Sequence, residues 1–420
     1  MPRSVELFAG GGGMALGMLN AGFEHDQLVE LHPPACGILT ANAERNPELW
    51  KKESVRQLDV RTWLAEVSML GLQDLDLVAG GPPCQPFSIS GKGVRAGYSD
   101  ERNMFPAAVD AVRRMRPKAF VFENVPGLLR ESFFPYYEYV CAQLERPSIS
   151  PRGDEEWSIH HDRIKSALEH DVEYRVYRHT IDAADLGVPQ NRKRVFIVGI
   201  RADVRGADAW GEIDPTHTRD ALLYDQWVSG EYWQRYKMKP PEAPAKFATR
   251  IRELRRRGTP LLDREPWRTT RDAIAGLPRP LDGVDARGVL NHRGIPGARI
   301  YKGHTGGWID WPAKTLKAGV HGVCGGEAMI RFLGDDVRYL TVREAARVQT
   351  FPDDYELPTV RSVAMRALGN AVAVRVAETI GRKLIDQTGI GDEQSSCDGL
   401  DPLPARVVEV DSRVPQPPEG

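Results

Sequence analysis

The feature that most constrains the fold of this chain is a cysteine placed directly after an apolar run. Residues 75–81 are largely apolar and end in two glycines, and Pro82-Pro83-Cys84-Gln85 follows at once. The pattern predicts a buried strand whose glycines let the backbone turn sharply and whose prolines stiffen that turn. Open α/β sheets place their chemistry at the carboxyl ends of strands, where Cys84 would then lie. A lone cysteine is more often only a small buried residue, so a catalytic role requires partners.

A glycine-rich loop near the N-terminus supplies the first partner. Residues 4–8 are typical of a short strand, which runs into four glycines and then into a helical pattern over 14–21. Such a loop lets a helix N-terminus approach a ligand closely, although a plain tight turn would use the same glycines. Glu30 ends the next predicted strand, where dinucleotide-type folds place a ribose-binding carboxylate, and Asp59 ends another. Together these features indicate a ligand that contains adenosine. The loop lacks the Gly-Lys-Ser/Thr ending of a P-loop, which disfavours ATP.

Two later segments place charged residues beside predicted strands. Glu123 ends a buried run, and residues 188–199 set Gln190, Arg192 and Arg194 at alternate positions next to another apolar run. Alternate residues of an extended chain point to the same face, so these three side chains are predicted to share one. A solvated sheet edge is the alternative. Because all these groups follow or precede strands, their convergence on one site with the cysteine is the favoured hypothesis.

The order of the elements predicts an α/β fold with a doubly wound, Rossmann-like sheet covered on both faces. Strands are predicted near 4–8, 26–30, 75–79, 119–123 and 194–200, with helical stretches between them. Thr341 followed by Glu344 is a helix capping pattern, and a helix from about 362 to 384 is expected to return the chain to the first domain.

The domain prediction follows from where this pattern breaks. Residues 201–338 are rich in Trp, Tyr, Gly and Pro and lack regular periodicity. We therefore predict a catalytic domain over 1–200 that is completed by 339–388, and a second, smaller domain over 201–338. The tail over 389–420 is predicted to be disordered. An insertion at about 130–172 either packs beside a cleft or decorates the surface.

Composition narrows the class of protein. With 420 residues, of which 41% are hydrophobic, the chain can bury a sizeable core. The N-terminus has no signal-peptide pattern and no apolar run approaches membrane length, so a cytoplasmic enzyme without a membrane partner is expected. The five cysteines lie far apart without a CxxC pair, which favours neither a disulfide framework nor a metal site. A monomer is the default expectation.

The net charge of −2 conceals an uneven distribution. Residues 201–338 carry 24 Lys and Arg against 18 Asp and Glu, whereas the rest of the chain carries 32 against 40. Phosphate binding depends on a local basic face, so global charge does not exclude DNA. Arg250 and Arg252 belong to the densest basic cluster. A solvated helix face is the first interpretation of that cluster, and phosphate contact is the second.

The ordered set of motifs resembles that of the DNA cytosine-5 methyltransferases. The matching residues are Phe8-Ala9-Gly10-Gly11-Gly12-Gly13, Glu30, Asp59, Pro82-Pro83-Cys84-Gln85, Glu123-Asn124-Val125, Gln190 with Arg192 and Arg194, residues 340–352, and Gly369-Asn370-Ala371-Val372. They cover roughly 1–200 and 338–388. The resemblance implies an S-adenosylmethionine-dependent methyltransferase sheet, and it places a target-recognition domain over 201–338, between the two matching blocks.

The resemblance also implies a covalent mechanism. A thiolate at Cys84 would add to C6 of cytosine, which makes C5 nucleophilic enough to take a methyl group. Glu123 matches the carboxyl group that protonates or hydrogen-bonds N3. Arg194, with Arg192, could stabilise charge near O2 or hold a flanking phosphate. Because the thiolate attacks above the ring plane, the base must be flipped out of the duplex. No residue identifies the base that removes the C5 proton.

By the same resemblance the methyl donor is S-adenosylmethionine. The residues expected to contact it are Phe8, Ala9, Gly10, Gly12, Gly13, Glu30, Asp59, Val60, Pro83, Asn370 and Val372. Gln85 and Ser88 lie in a stretch that looks like the loop that closes on DNA, and together with Gln190, Arg250 and Arg252 they are the candidate DNA contacts. His32 departs from the family pattern, which usually has an acid there, but Glu30 should still carry the ribose contact.

Three functions stay open at this stage. An enzyme that methylates double-stranded DNA is favoured, in a restriction-modification or related defence system with a cognate nuclease as an open partner. An RNA-directed enzyme is the second, since one branch of the family methylates tRNA, but the long segment 201–338 favours DNA. The third is a non-catalytic DNA-binding protein. Retention of Cys84, Glu123, Arg192 and Arg194 argues against it, because such a protein has no chemical need for all four.

Overall fold

The computed structural model describes residues 1–83, 103–168, 171–258, 263–302, 304–318, 328–334 and 336–391. Cys84, Gln85 and Ser88 lie outside the described residues, as does the predicted tail from residue 392 onwards. Within the described ranges, no helix has both the length and the apolar character needed to cross a membrane.

A seven-stranded sheet forms the centre of the protein. Its strands are β1 Arg3–Leu7, β2 Glu24–Glu30, β3 Val55–Gln57, β4 Leu77–Gly80, β5 Ala119–Asn124, β6 Tyr174–Asp182 and β7 Lys193–Arg201. Their spatial order is β3-β2-β1-β4-β5-β7-β6. The first five run parallel, whereas β7 is antiparallel to both β5 and β6. The order reverses between β1 and β4, so the ligand crevice of such a sheet is expected at their carboxyl ends.

The predicted α/β class and Rossmann-like sheet are confirmed, and each predicted strand exists within a few residues of its expected position. Sequence reasoning missed the edge strand β6 and placed the end of the other edge strand, β3, at Asp59, two residues late. β3 is only three residues long, and β6 mixes charged, polar and apolar residues, several of which are exposed or half-buried. An edge strand buries fewer side chains than a central one, so it leaves a weaker apolar signal in the sequence.

Helices cover both faces of the sheet. Before β7 these are α1 Gly13–Ala21, α2 Pro33–Arg45, α3 Val60–Glu66, α4 Phe105–Met115, α5 Phe134–Glu145 and α6 Trp157–Ser166. One core cluster joins α3, α4 and α5 to side chains such as Val5 and Phe120. Another joins α1 to the C-terminal helix, through residues such as Met18 and Ile380, and to the opposite sheet face.

The segment after β7 has shorter elements and an aromatic core. Its elements are α7 Arg219–Tyr224, α8 Glu231–Arg235, α9 Ala248–Arg257 and α10 Thr270–Ile274, with strands β8 His217–Thr218, β9 Glu265–Pro266, β10 Gly307–Trp308, β11 Met329–Arg331 and β12 Val337–Tyr339. A π-helical turn at Asp225–Ser229 places Trp227 in this core beside Trp233 and Tyr232. The high aromatic content of the segment thus builds a small core of its own.

Three further helices, α11 Val342–Val348, α12 Arg361–Asn370 and α13 Val374–Thr388, bring the chain back against the first helices. Thr341 and Glu344 form the expected capping box at the start of α11. α13 lies directly on α1, and the contact is so close that a Cβ added at Gly17 would lie 2.5 Å from the carbonyl oxygen of Val374. A glycine is therefore required at that point of α1.

Gly17→Ala should destabilise the protein, because the added methyl group meets the backbone of α13. Overpacking of this kind costs about 1–3 kcal/mol. Gly37 provides a matched control, since it lies in α2, is exposed, and has nothing within 4 Å of an added Cβ. Gly37→Ala should raise the free energy of unfolding by about 0.5–1 kcal/mol, because alanine is the better helix former. Urea unfolding followed by circular dichroism measures both variants, and equal effects would contradict the close α1–α13 contact.

Candidate functional site

The carboxyl end of β2 is joined to the glycine loop by Glu30. One carboxylate oxygen of Glu30 accepts a hydrogen bond from the backbone N–H of Gly10 at 2.8 Å, and the other accepts from that of His32 at 2.7 Å. The predicted ribose-binding carboxylate therefore lies against the loop. His32 contributes its backbone N–H, which any residue but proline supplies, so its departure from the family pattern leaves this arrangement intact.

The loop between β1 and α1 is strained and tightly enclosed. Phe8 has φ 58°, in the left-handed region, as do Gly10 and Gly12. A non-glycine residue held there costs on the order of 1–3 kcal/mol, and such strain is concentrated at ligand sites. The Tyr355 hydroxyl donates to the carbonyl oxygen of Gly11 at 2.9 Å and closes the loop from one side. A Cβ at Gly13 would collide with the carbonyl oxygen of Val372, so the segment before α13 closes the loop from a second side.

The remaining predicted cofactor residues lie around this loop. Asp59 caps α3 by accepting from the backbone N–H of Arg61 at 2.8 Å. The Arg61 side chain also hydrogen-bonds this carboxylate and holds the pKa of Asp59 below its usual value. The backbone N–H of Leu58 donates to the carbonyl oxygen of Glu30, which places Asp59 beside the end of β2. Asn370 ends α12 and is exposed, two residues before the buried Val372.

Glu123 and Arg194 meet at the carboxyl end of β5. Glu123 Oε1 lies 2.6 Å from Arg194 Nε, and the two side chains are only 10% and 15% exposed. The atoms are at ion-pair distance without the alignment of a hydrogen bond. The pair forms because β7 runs antiparallel to β5, with Asn124 opposite Val195, so that the start of one strand lies beside the end of the other. A buried carboxylate and a guanidinium are thus held together at the predicted site.

Hydrogen bonds hold the two prolines that precede Cys84 beside this ion pair. The Asn124 side-chain amide donates to the carbonyl oxygen of Pro82 at 3.0 Å, and the backbone N–H of Met104 donates to that of Pro83 at 3.1 Å. A Cβ placed on Gly81 would lie 3.4 Å from Glu123 Oε2. Gly81, three residues before Cys84, therefore lies next to the Glu123 carboxylate. The roles of Cys84, Gln85 and Ser88 stay predictions, since these residues lie outside the described ranges.

The structure corrects the prediction for Arg192. Its side chain is 2% exposed, and the guanidinium donates to the carbonyl oxygens of Leu316, Gly369 and Ala371 at 2.8–2.9 Å. Burial, together with the nearby Arg194, lowers the pKa of Arg192 to about 9, so the group is still a cation at neutral pH. Arg192 holds three separate segments together inside the protein and has no surface for a catalytic contact.

Gln190 is corrected for the same reason. It is fully buried, its amide N–H donates to the side-chain oxygen of Gln349, and its own oxygen accepts from the backbone N–H of Leu316, both at 2.9 Å. Direct contact with DNA is therefore not available to it. The alternation argument failed because β7 begins only at Lys193, and the preceding residues form a bridge between Gln190 and Ala313 instead.

The basic cluster on α9 behaves largely as a solvated helix face. Ile251 and Leu254 are buried, whereas Arg250 pairs with Asp220 and Glu253. The charge of Arg250 is thus already matched within the protein. Arg252 is exposed, with a long contact of 3.4 Å to the Thr249 hydroxyl, and it stays a candidate for phosphate contact.

Sequence reasoning missed Tyr355 as a support of the glycine loop. Its hydroxyl is buried against Gly11, yet it lies in a short irregular stretch between α11 and α12 that carries no periodic signal. Gln349 lies within a quoted motif, but only the fold reveals its pairing with Gln190. Among the described residues, no cluster of three or more His, Cys, Asp or Glu could hold a metal ion.

The chain is similar in sequence to known proteins of one family. A family model described as C-5 cytosine-specific DNA methylase matches residues 3–146, 158–246 and 299–386. Type II methyltransferase M.NgoMIV of Neisseria gonorrhoeae is 31% identical over 388 residues, which cover 91% of this chain and 96% of that protein. Type II methyltransferase M.AquIA of Picosynechococcus sp. is 36% identical over 200 residues, covering 47% of this chain and 72% of that protein.

Solved structures show the same fold at low identity. The S. pombe Dnmt2 methyltransferase aligns with a TM-score of 0.53 and 15% identity, over 92% of this chain and 98% of that one. The Entamoeba histolytica methyltransferase EhMeth aligns with a TM-score of 0.53 and 13% identity, again over 92% and 98%.

Arg192→Lys should destabilise the protein, because one ammonium group cannot reach three carbonyl oxygens on two separate segments. Each buried acceptor left without a partner costs about 1–3 kcal/mol, so a loss of roughly 2–4 kcal/mol is expected. Lys193→Gln is the matched control, since the neighbouring lysine is exposed and its change should stay within about 0.5 kcal/mol. Denaturant unfolding compares the two, and an Arg192→Lys protein as stable as the control would show that the three contacts are dispensable.

Proposed function

Since this chain belongs to the C-5 cytosine-specific DNA methylase family, we propose a role for each group at the carboxyl edge of its sheet. The activity is DNA cytosine-5 methylation, with S-adenosylmethionine as the methyl donor and DNA as the substrate. Its relatives among the Type II methyltransferases support a restriction-modification context. The observation that carries the residue assignment is the buried Glu123–Arg194 pair, held beside the two prolines that lead into Cys84.

The glycine loop fits the methyl donor. Phe8 is strained, Gly10 and Gly12 take left-handed conformations, and Glu30 lies against the loop. The loop follows β1, one of the two strands between which the strand order reverses. When bound, S-adenosylmethionine supplies an electrophilic methyl group. We assign its binding to Phe8, Ala9, Gly10, Gly12, Gly13, Glu30, Asp59, Val60, Pro83, Asn370 and Val372, with Glu30 on the ribose.

The reacting base is activated by Cys84 and Glu123. The Cys84 thiolate forms a bond to C6 of the flipped cytosine, and the electron pair of the C5–C6 double bond becomes available at C5. Glu123 holds a proton at N3 and so limits the charge that builds on the ring. Arg194 keeps the Glu123 carboxyl in place and stabilises charge near O2. After methylation, loss of the C5 proton returns the electron pair and expels the Cys84 thiolate.

The proposal also divides the chain into domains and names the residues that contact DNA. Residues 1–200 with 339–388 form the catalytic domain in this proposal, 201–338 the target-recognition domain, and 389–420 a tail outside both. Gln85, Ser88 and Arg252 are the proposed DNA contacts, while Gln190 and Arg192 support them from inside. The enzyme acts as a monomer, and its partner in the cell is a nuclease of the same recognition sequence.

Bisulfite sequencing of plasmid DNA from cells that express the protein tests this function. Protected cytosines within one recurring short sequence are expected, and that sequence is the specificity. No protected cytosine in DNA, from a protein that still binds S-adenosylmethionine in calorimetry, would overturn the assignment of DNA as the substrate.

Cys84→Ala should abolish methyl transfer and leave binding of S-adenosylmethionine intact, because the alanine cannot form the bond to C6. Methyl transfer is measured with labelled methyl groups on a duplex that contains the sequence found by bisulfite sequencing. Binding of S-adenosylmethionine is measured by calorimetry. A duplex with 5-fluorocytosine at the target position adds a direct readout, since fluorine at C5 cannot leave as a proton does. The wild-type protein should stay covalently attached to that duplex after denaturation and the variant should not. Steady turnover by the variant would rule out the covalent mechanism.

Glu123→Gln should slow methyl transfer by about 10² to 10⁴, the usual contribution of a positioned acid, because an amide cannot supply the proton at N3. Glu131→Gln is the matched control, as this exposed carboxylate follows the same strand without facing Arg194. Single-turnover rates on the same duplex compare the two. A near-normal rate for Glu123→Gln would remove Glu123 from the acid role.

A further inference from the structure

A cavity of about 920 Å³ lies where the segment before β7 meets the aromatic region that follows it. One wall is formed by Asn191 and residues 312–317, and the other by residues around Phe247 and β10–β11. Its volume falls within the range of small-molecule sites, about 300–1,000 Å³. None of the roles proposed above uses this cavity.

The cavity adjoins the proposed active site. The backbone N–H of Asn191 donates to the carbonyl oxygen of Ala313, and the Thr315 hydroxyl donates to that of Asn191 at 2.6 Å. These bonds fix the wall to a residue three positions before Arg194. Three residues span at most about 11 Å even when fully extended, so Asn191 lies within roughly that distance of Arg194. A nucleotide close to a target cytosine bound at the Glu123–Arg194 pair is therefore within reach of the cavity.

Aromatic rings with fixed orientations line the cavity. Phe247 stacks on Trp311 with centroids 5.0 Å apart, and Trp308 stacks on Trp227 with centroids 6.0 Å apart. Trp227 is buried in the aromatic core, whereas Trp308 and Phe247 are only half-buried and also line the cavity. Because its partner ring holds it in place, Trp308 presents rigid apolar surface at low entropic cost, whereas the Lys246 ammonium lies over the Phe247 ring, 4.7 Å from its centroid.

The charged groups of the lining favour an anionic occupant. Lys314, Lys317, Lys246 and Arg331 contribute positive charge, and Glu242 is the one acid among the described lining residues. Lys314 and Lys317 lie on the wall next to the active site, and Lys317 is exposed. Flat aromatic surface combined with lysines suits a planar base that carries a phosphate.

We infer that this cavity receives a second, unstacked nucleotide of the bound DNA. Its base lies against Trp308 and its phosphate faces Lys314 and Lys317. A cavity of about 920 Å³ has room for a whole extruded base. Unstacking is least costly where the stack is already broken, and the flipped cytosine breaks it close by. The inference rests on the proposed function and extends it to a second pocket in the substrate site.

Single mismatches test the inference. The duplex defined by bisulfite sequencing receives one mismatch at a time, at each position other than the target, and its Kd is measured with the wild-type protein. A mismatch removes the cost of breaking a pair, so it should tighten binding by about tenfold at the position whose base enters the cavity, equivalent to about 1.4 kcal/mol. At other positions a mismatch should leave binding unchanged or weaken it.

Variants of the residues that line the cavity test whether the cavity causes this tightening. Trp308→Ala should abolish the tightening, and Trp308→Phe, which keeps an aromatic face, should retain most of it. The pair Lys314→Gln and Lys317→Gln reduces the tightening without touching the aromatic core, which guards against misfolding of the tryptophan variant. Lys165→Gln, an exposed lysine on α6, is the matched control and should bind as the wild type does. 2-Aminopurine at the tightening position should change fluorescence on binding in the wild type and not in Trp308→Ala.

Three outcomes separate this inference from the proposed function on which it rests. If the wild-type protein methylates the duplex while no mismatch tightens binding, the second pocket is wrong and the proposed function stands. If a mismatch tightens binding equally in wild type and in both the tryptophan and the lysine variants, an extruded base enters elsewhere and the cavity assignment is wrong. If no DNA is methylated at all, the proposed function fails and the inference fails with it.

Discussion

One buried guanidinium holds together the parts of the chain that must meet at the active site. Arg192 precedes β7, yet its hydrogen bonds reach Leu316 from the aromatic region and Gly369 and Ala371 from the end of α12. Burying this cation is costly unless most of its donors are satisfied, and the three carbonyl oxygens supply that compensation. Gln190 and Gln349 reinforce the same junction with neutral hydrogen bonds. Arg192 thus connects the end of α12, which lies beside the proposed cofactor site, to the segment that forms the wall of the cavity.

Different physical constraints shape the two parts of the site, the loop after β1 and the carboxyl end of β5. At β1, backbone conformation dominates, because Phe8 and two glycines take left-handed angles in a loop that Tyr355 and Val372 enclose. At β5, electrostatics dominates, because the antiparallel β7 brings Arg194 to a carboxylate that is otherwise buried. A cofactor with a ribose suits the first end, and charge that develops on a base suits the second.

The fold was predictable because central strands of a parallel sheet are buried on both faces and appear in the sequence as apolar runs. Glu30 and Glu123, which stand at the ends of two such runs, lie at the carboxyl ends of β2 and β5 as expected. Arg250 was only partly predictable: its helix was expected, but its pairing with Asp220, thirty residues away, could not be. The predictions for Gln190 and Arg192 were wrong because β7 begins only at Lys193, so the alternation of an extended strand does not apply to the residues before it.

The sequence alone determined the class of sheet, the glycine loop, the order of the acids at the strand ends and the resemblance to a family of methyltransferases. These are local properties, since apolar runs, turn residues and motif order are all properties of short stretches of chain. Only the tertiary structure decided that Arg194 faces Glu123, that Arg192 is an internal support, and that Asn191 forms the wall of an aromatic cavity with residues more than a hundred positions later. Such contacts depend on strand direction and on the packing of distant segments, which no local pattern specifies.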